Sequence, residues 1–197
     1  MIRTLSTLGA SLALTLVTGA AQASTWEVDS SHTAAQFSVR HLMVSNVRGE
    51  FSKVTGTVEL DDKDVSKSKV KVEIDVSTVN TREPKRDEHL KSAEFFDVAK
   101  FPKMTFKSKS VTKAGGGFKV VGDLSIHGVT KEVTLDVEGT LAEVKDPWGN
   151  VKTGLTATTK IKREDFGLTW NKALEAGGVV VGSDVAITLD VELTKKK

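Results

Sequence analysis

Residues 69–76 read KVKVEIDV. Val70, Val72, Ile74 and Val76 fall on one side of an extended chain, with Lys71, Glu73 and Asp75 on the other. Successive strand side chains point to opposite faces, so this strict alternation predicts a strand with one dry and one wet side. The same signature continues outward in both directions. Upstream, Ala35, Phe37, Val39 and His41 share a face against Gln36, Ser38 and Arg40, after a short strand over 25–29 and a turn at Ser30, Ser31 and His32. Residues 49–60 form another extended run. Its apolar positions change parity between Phe51 and Val54, which predicts a bulge near Lys53. A polar turn region follows over 61–68. Downstream, Met104 and Phe106 open a strand reaching Val111, and Gly115, Gly116 and Gly117 supply a hairpin turn. Phe118, Val120, Gly122, Leu124 and Ile126 form the next apolar face, then Val133, Leu135, Val137, Gly139 and Leu141. Residues 146–150, DPWGN, are a turn. A Thr-rich strand over 151–161, an irregular stretch over 163–176 and a last strand through Val185, Ile187, Leu189, Val191 and Leu193 complete the chain.

About eight main strands joined by tight turns predict an all-β fold, a single closed antiparallel barrel or a sandwich. A barrel of about eight strands can hold one small ligand. One segment breaks the rhythm. Residues 86–106, RDEHLKSAEFFDVAKFPKMTF, hold four of the eight Phe and do not alternate. We read a short helical insert around 86–97, either a plug for the barrel or a lining of its mouth.

The first residues stand apart. Arg3, an apolar run over 5–20 and the Ala21-Gln22-Ala23 cleavage pattern predict a secretory signal peptide, residues 1–23, leaving one domain over 24–197. The run is too short and mild for a membrane span. The expected compartment is a bacterial periplasm. The chain lacks cysteine, which excludes disulfides and thiolate chemistry. With 28 basic and 26 acidic residues interspersed, it has no electrostatic footprint for nucleic acid.

These residues resemble the YceI-like family, exported lipocalin-like barrels of bacteria that bind polyisoprenoids. The likeness rests on Trp26 to Asp29 with Ser31 and His32; on Phe37, Arg40 to Ser45 and Val47 to Phe51; and on Arg86, Asp87, His89 to Ser92, Phe95 to Asp97, Phe101 and Pro102. Gly122 to Leu124, Ile126 to Thr130, and Arg163, Asp165, Phe166 and Gly167 complete it. It implies a lipocalin-like barrel with a hydrophobic tunnel, and a carrier or sequestering role in lipid transport for polyprenyl chains, including quinone-type tails. It brings no catalytic constellation, and no cofactor other than the lipid as ligand. A homodimer is compatible with it, although no alternation pattern demonstrates an exposed apolar edge.

On this reading the expected lipid-binding residues are Phe37, Val39, His41, Phe51, Leu90, Phe95, Phe96, Phe101, Phe106, Leu124, Ile126 and Phe166. Arg40, Arg86, His89 and His127 are the expected head-group rim. Two other classes compete. A metal-dependent enzyme would need His32, His41, His89 and His127 to converge, yet they lack ligand spacing. A packed interaction module would leave no cavity. No Gly-x-Ser-x-Gly elbow supports a hydrolase.

Overall fold

The computed structural model describes residues 23–61, 63–139, 141–175 and 177–197. The predicted leader lies outside the described residues except for Ala23. Twelve strands and one α-helix are present among the described residues: β1 (Ser24–Val28), β2 (Ala34–His41), β3 (Ser45–Phe51), β4 (Val54–Leu60), β5 (Lys69–Asp75), β6 (Val79–Asn80), α1 (Pro84–Lys91), β7 (Lys103–Ala114), β8 (Gly117–Ile126), β9 (Val129–Glu138), β10 (Val144–Lys145), β11 (Val151–Lys162) and β12 (Val181–Lys195).

All twelve belong to one sheet, ordered β10-β11-β9-β8-β7-β5-β4-β1-β12-β2-β3-β6, and a further β11–β12 pairing closes it. The closed ring contains eight strands, and every pairing is antiparallel. The extra strands are continuations. β12 pairs with β2 through Asp190 and with β1 from Leu193, so β1 and β2 are one barrel strand broken by the turn before Ala34. β3 and β4 are likewise one strand, interrupted at Ser52 and Lys53, where the parity change predicted a bulge. The Lys53 carbonyl accepts from Asp75 N at 3.0 Å across that break.

The barrel is long. At about 3.3 Å per residue, the 15 residues of β12 span about 50 Å along the strand. Its apolar faces pack as two clusters. One is built on Phe51, Val54, Met104, Ile126, Ile161 and Phe166, and the other on Phe106, Val111, Val120, Val137 and Ala157. Val72, Leu124, Val133 and Leu189 pack against both, so the two halves are continuous. The outer face carries cross-strand pairs such as Lys103–Glu73 and Lys119–Asp136. Such exposed pairs add little stability.

The insert differs in extent from its expected span. α1 starts at Pro84, where Glu83 caps it by accepting from Lys85 N and Arg86 N, and proline at the first position costs no hydrogen bond. It stops at Lys91 because Ser92 turns extended and both its N–H and its hydroxyl bond back to the His89 carbonyl. Residues 92–101 are tight turns, with Asp97 at φ 46°. β9 ends at Glu138, short of the expected Leu141. Gly139 there adopts φ 144°, and a Cβ would lie 2.6 Å from a Leu155 methyl.

The connections divide between two ends. α1, the β2–β3 tip, the β8–β9 turn and residues 163–175 and 177–180 gather at one end, which we call the mouth. The β7–β8 turn, β10 and residues 63–68 lie at the other.

Candidate functional site

A cavity of about 260 Å³ runs inside the barrel. Val28, Val58, Leu60, Val111, Phe118 and Leu193 line it toward the far end, and Phe37, Leu90, Phe95, Phe96, Leu168 and Val181 toward the mouth. Of its lining residues only Gln36, Ser68, Thr105, Thr159 and Arg163 carry polar side chains. Gln36 is turned away: its amide donates to the exposed Asp190 carboxylate at 3.3 Å. Inward apolar faces of all the ring strands produce this dry interior directly.

Nine of the twelve expected lining residues stand on the cavity: Phe37, Val39, Phe51, Leu90, Phe95, Phe96, Phe106, Leu124 and Ile126. The aromatic wall is continuous. Phe37 meets Phe51 at 5.7 Å between ring centroids, and Phe51 meets the edge of Phe96 at 5.6 Å. Phe37 can lie flat across the pair with Gly49 because Gly49 has no Cβ; one would sit 2.5 Å from the ring. Phe101, Phe166 and His41 are placed elsewhere. Phe101 lies over Gly128 and against His127 at 4.7 Å, because the turn after Asp97 carries it outside the ring. Phe166 is buried in the core beneath the 3₁₀ turn Arg163–Phe166, sealing it without reaching the cavity. His41, at the end of β2, lies beyond the interior.

His41 belongs to a second, smaller pocket of about 180 Å³ at the mouth. Phe37, Val39, Leu90, Phe95 and Val181 line both spaces and form the partition between them. The mouth pocket adds Arg40, Val47, Arg86, His89, Trp170 and Val180. Three of the four expected rim residues therefore meet here, and His127 does not. It occupies the β8–β9 turn at φ 51°, packed on Phe101. His89, Phe95 and Trp170 form a three-ring cluster, with centroids 4.9 to 5.2 Å apart. His89 Nε2 also meets the Glu94 carboxylate at 2.6 Å. Arg86 is anchored through its base: its Nε donates to Thr81 Oγ1 and its Nη2 to the Thr81 carbonyl, both at 2.7 Å. Asp87 accepts from Thr81 N and Oγ1, so two adjacent helical residues clamp one buried threonine and fix α1 across the mouth. Arg40 donates to the Met43 carbonyl at 2.9 Å.

Two important residues escaped the expected site. Trp170 lay in a stretch without periodicity. Arg163 has no strand-face signal in the sequence, yet among the described residues it is the one cation lining the cavity and is 4% exposed. Its Nε donates to the Gly182 carbonyl at 2.9 Å, and its Nη1 to the carbonyls of Leu168 and Trp170. Burial pulls its guanidinium below the ordinary value, and Glu164 opposes that at 3.2 Å. An arginine nonetheless stays charged at neutral pH. With its donors spent on backbone carbonyls, it ties Leu168 and Trp170 to the start of β12 at Val181 and Gly182.

Only His41 and His89 of the four histidines share a pocket. Among the described residues, only Asp29, His32 and Glu192 bring three possible metal ligands within 4.8 Å. Lys152 Nζ already sits between those carboxylates, 2.5 Å from Asp29 and 3.0 Å from Glu192. This cluster is on the outer wall at the β1–β2 break.

The match to known proteins follows the same outline. A model of the YceI-like domain matches residues 26–193. The chain belongs to the YceI-like family. A UPF0312 protein of Staphylococcus aureus is 42% identical over 166 residues, covering 84% of this YceI-like chain and 95% of that protein. The Campylobacter jejuni YceI protein superposes with a TM-score of 0.67 at 33% identity, over 80% of this chain and 90% of that one. A polyisoprenoid binding domain from Saccharophagus degradans, implicated in plant cell wall breakdown, shares the fold with a TM-score of 0.60 at 15% identity, over 87% and 98% of the two chains.

Proposed function

We propose that this protein binds and carries a long apolar lipid, a polyisoprenoid, whose tail occupies the barrel. The observation that carries the reading is the cavity: a barrel interior that is apolar but for Gln36, Ser68, Thr105, Thr159 and Arg163, of which Gln36, Ser68 and Arg163 are hydrogen-bonded within the protein. A charged or hydrogen-bonding ligand would lose water there without compensation. A hydrocarbon chain would not. Each buried methylene-sized group contributes ~0.8 kcal/mol, and the sum has to offset an association cost of roughly 4–15 kcal/mol. Short chains would fall below it, so chain length itself becomes the selective feature.

In this proposal Phe37, Val39, Phe51, Leu90, Phe95, Phe96, Phe106, Leu124 and Ile126 hold the tail. The head group, a phosphate or a quinone ring, rests in the mouth pocket against Arg40, Arg86 and His89. The aromatic trio there suits a ring, and the two guanidinium groups suit an anion. Binding without catalysis is the role, and the leader-like residues 1–23 support a periplasmic site of action. The test is loading of purified protein with polyprenyl phosphates and polyprenols of graded length. Affinity should climb with chain length and change little with the head group. Affinity that follows the head group and ignores length would overturn the proposal.

A further inference from the structure

The β2–β3 connection consists of Leu42, Met43 and Val44, three consecutive apolar residues at the mouth end. They are 39%, 46% and 73% exposed. Single apolar residues on a surface are ordinary, but three in a row at a projecting tip are not. The backbone is also unusual, with φ 49° at Leu42 and 60° at Met43, a region that bulky side chains rarely adopt. It is held there from several directions. Leu42 N donates to the Val180 carbonyl at 2.8 Å, Val44 N to the His41 carbonyl at 3.1 Å, and Arg40 Nη2 to the Met43 carbonyl. Strained backbone and exposed hydrocarbon are both unfavourable, and the fold maintains them together.

Two further observations say what covers the tip. It rises from the mouth pocket, whose wall includes Val39, Arg40, His41 and Val180 at its base. Its charge is also one-sided: residues 37–49 contain Arg40, His41 and Arg48 and no carboxylate, with Glu50 the first acid beyond. Elsewhere at this end both signs are interspersed along the chain: Arg82, Lys85, Arg86 and Lys91 alternate with Glu83, Asp87, Glu88 and Glu94, and Lys172 is followed by Glu175. The other exposed apolar pair, Val144 at 64% and Trp148 at 85%, sits at the opposite end, in a hairpin that also holds Glu143 and Asp146.

We propose that the 42–44 tip docks the barrel on an anionic phospholipid bilayer. Leu42, Met43 and Val44 enter the acyl boundary, Arg40 and Arg48 meet the lipid phosphates, and the mouth pocket opens against the membrane. Interfacial binding grows with buried apolar area and with attraction to anionic lipid, and this tip offers both. The inference rests on the lipid-carrier reading, because a long hydrocarbon passes from bilayer to barrel most easily where mouth and membrane touch.

The test compares purified protein with a Leu42→Asn/Met43→Asn/Val44→Asp variant. Asparagine accepts positive φ, so the tip keeps its backbone. Sedimentation with phosphatidylcholine vesicles, with and without phosphatidylglycerol, reads docking. Transfer of a polyprenol from those vesicles, and separately from detergent micelles, reads loading. The wild type should sediment with the anionic vesicles, and the variant should lose about tenfold in vesicle binding and in loading from vesicles. Loading from micelles should be unchanged, which also shows that the variant is folded. A Val144→Asp/Trp148→Asp variant should sediment like the wild type. Equal sedimentation of wild type and tip variant overturns the docking site, as does loss only in the opposite-end variant. A changed mass in solution for the tip variant also overturns it, by making the tip a contact between copies. If the wild type docks but takes no polyprenol from either source, docking stands and the carrier reading fails.

Discussion

The central cavity and the mouth pocket share Phe37, Val39, Leu90, Phe95 and Val181, yet the residues on either side of that partition differ in kind. Inside, strand after strand contributes Val, Leu, Ile and Phe. Outside, Arg40, His41, Arg86, His89 and Trp170 come from β2, α1 and an irregular segment. The interior is a product of period-two patterning, repeated until the sheet closes. The mouth is assembled from pieces without a period, each fixed by particular hydrogen bonds. On the proposed lipid-carrier reading the difference amounts to a division of labour: the interior would supply affinity through area, and the mouth orientation and exchange.

The largest effect should come from blocking the interior. Leu189 packs against both core clusters, so Leu189→Trp would put an indole across the middle of the cavity. We expect a loss of more than about a hundredfold for a long polyprenol, since excluding even four methylenes removes ~3 kcal/mol. Titration with long and short polyprenols checks this, and a short chain should lose far less. An equal loss for both would dissolve the distinction between length-dependent interior and orienting mouth.

Next comes the tie that holds the mouth to the barrel. Arg163→Met leaves the carbonyls of Gly182, Leu168 and Trp170 without their donor. A stability loss of about 3 kcal/mol is expected in urea unfolding, in line with the penalty for stranded buried polar groups. The partition comes third. Phe95→Ala removes a ring that separates the two spaces and faces His89 and Trp170. Lipid release, followed by transfer to vesicles, should quicken about tenfold, while the truncation itself costs ~3 kcal/mol of stability. An unchanged release rate would return the segment to the role of plug.

The smallest effect should lie on the outer wall, away from both spaces. Hydrogen bonding from Lys152, with help from Ser31 and His32, holds the Asp29 carboxyl far below its usual range. A carboxylate with a depressed folded-state pKa stabilises fully above its unfolded value, near pH 4, and that contribution fades as pH falls toward the folded value. Lys152→Ala should therefore cost about 1.5 kcal/mol at pH 7. The gap from wild type should narrow in thermal melts below about pH 4, and lipid affinity should not change.

How much of this was legible in the sequence follows from the same contrast. Alternation from Val70 to Val76 and its repeats disclosed the strands but left barrel and sandwich both open, the family resemblance implied the barrel, and the parity change after Phe51 marked the break between β3 and β4. Phe106, Leu124 and Ile126 could be placed on the inner wall because a strand position determines which face a side chain takes. Phe101 and Phe166 could not, since each sits in a turn outside the strand alternation. Trp170 and Arg163 stayed hidden for the same reason: their roles exist only once residues 163–175 fold back over the end of the barrel. His127 looked like a rim residue because it is polar and lies at a strand end, but in the β8–β9 turn it packs against Phe101 and does not line the mouth pocket.

The most direct test of the central claim is native mass spectrometry of purified protein mixed with a long polyprenol, a polyprenol of a few units and a polar molecule of similar mass. The account predicts one long polyprenol retained per chain, with the short and polar compounds lost under the same conditions. Retention of the polar compound, or no retention of the long polyprenol by folded protein, would contradict it.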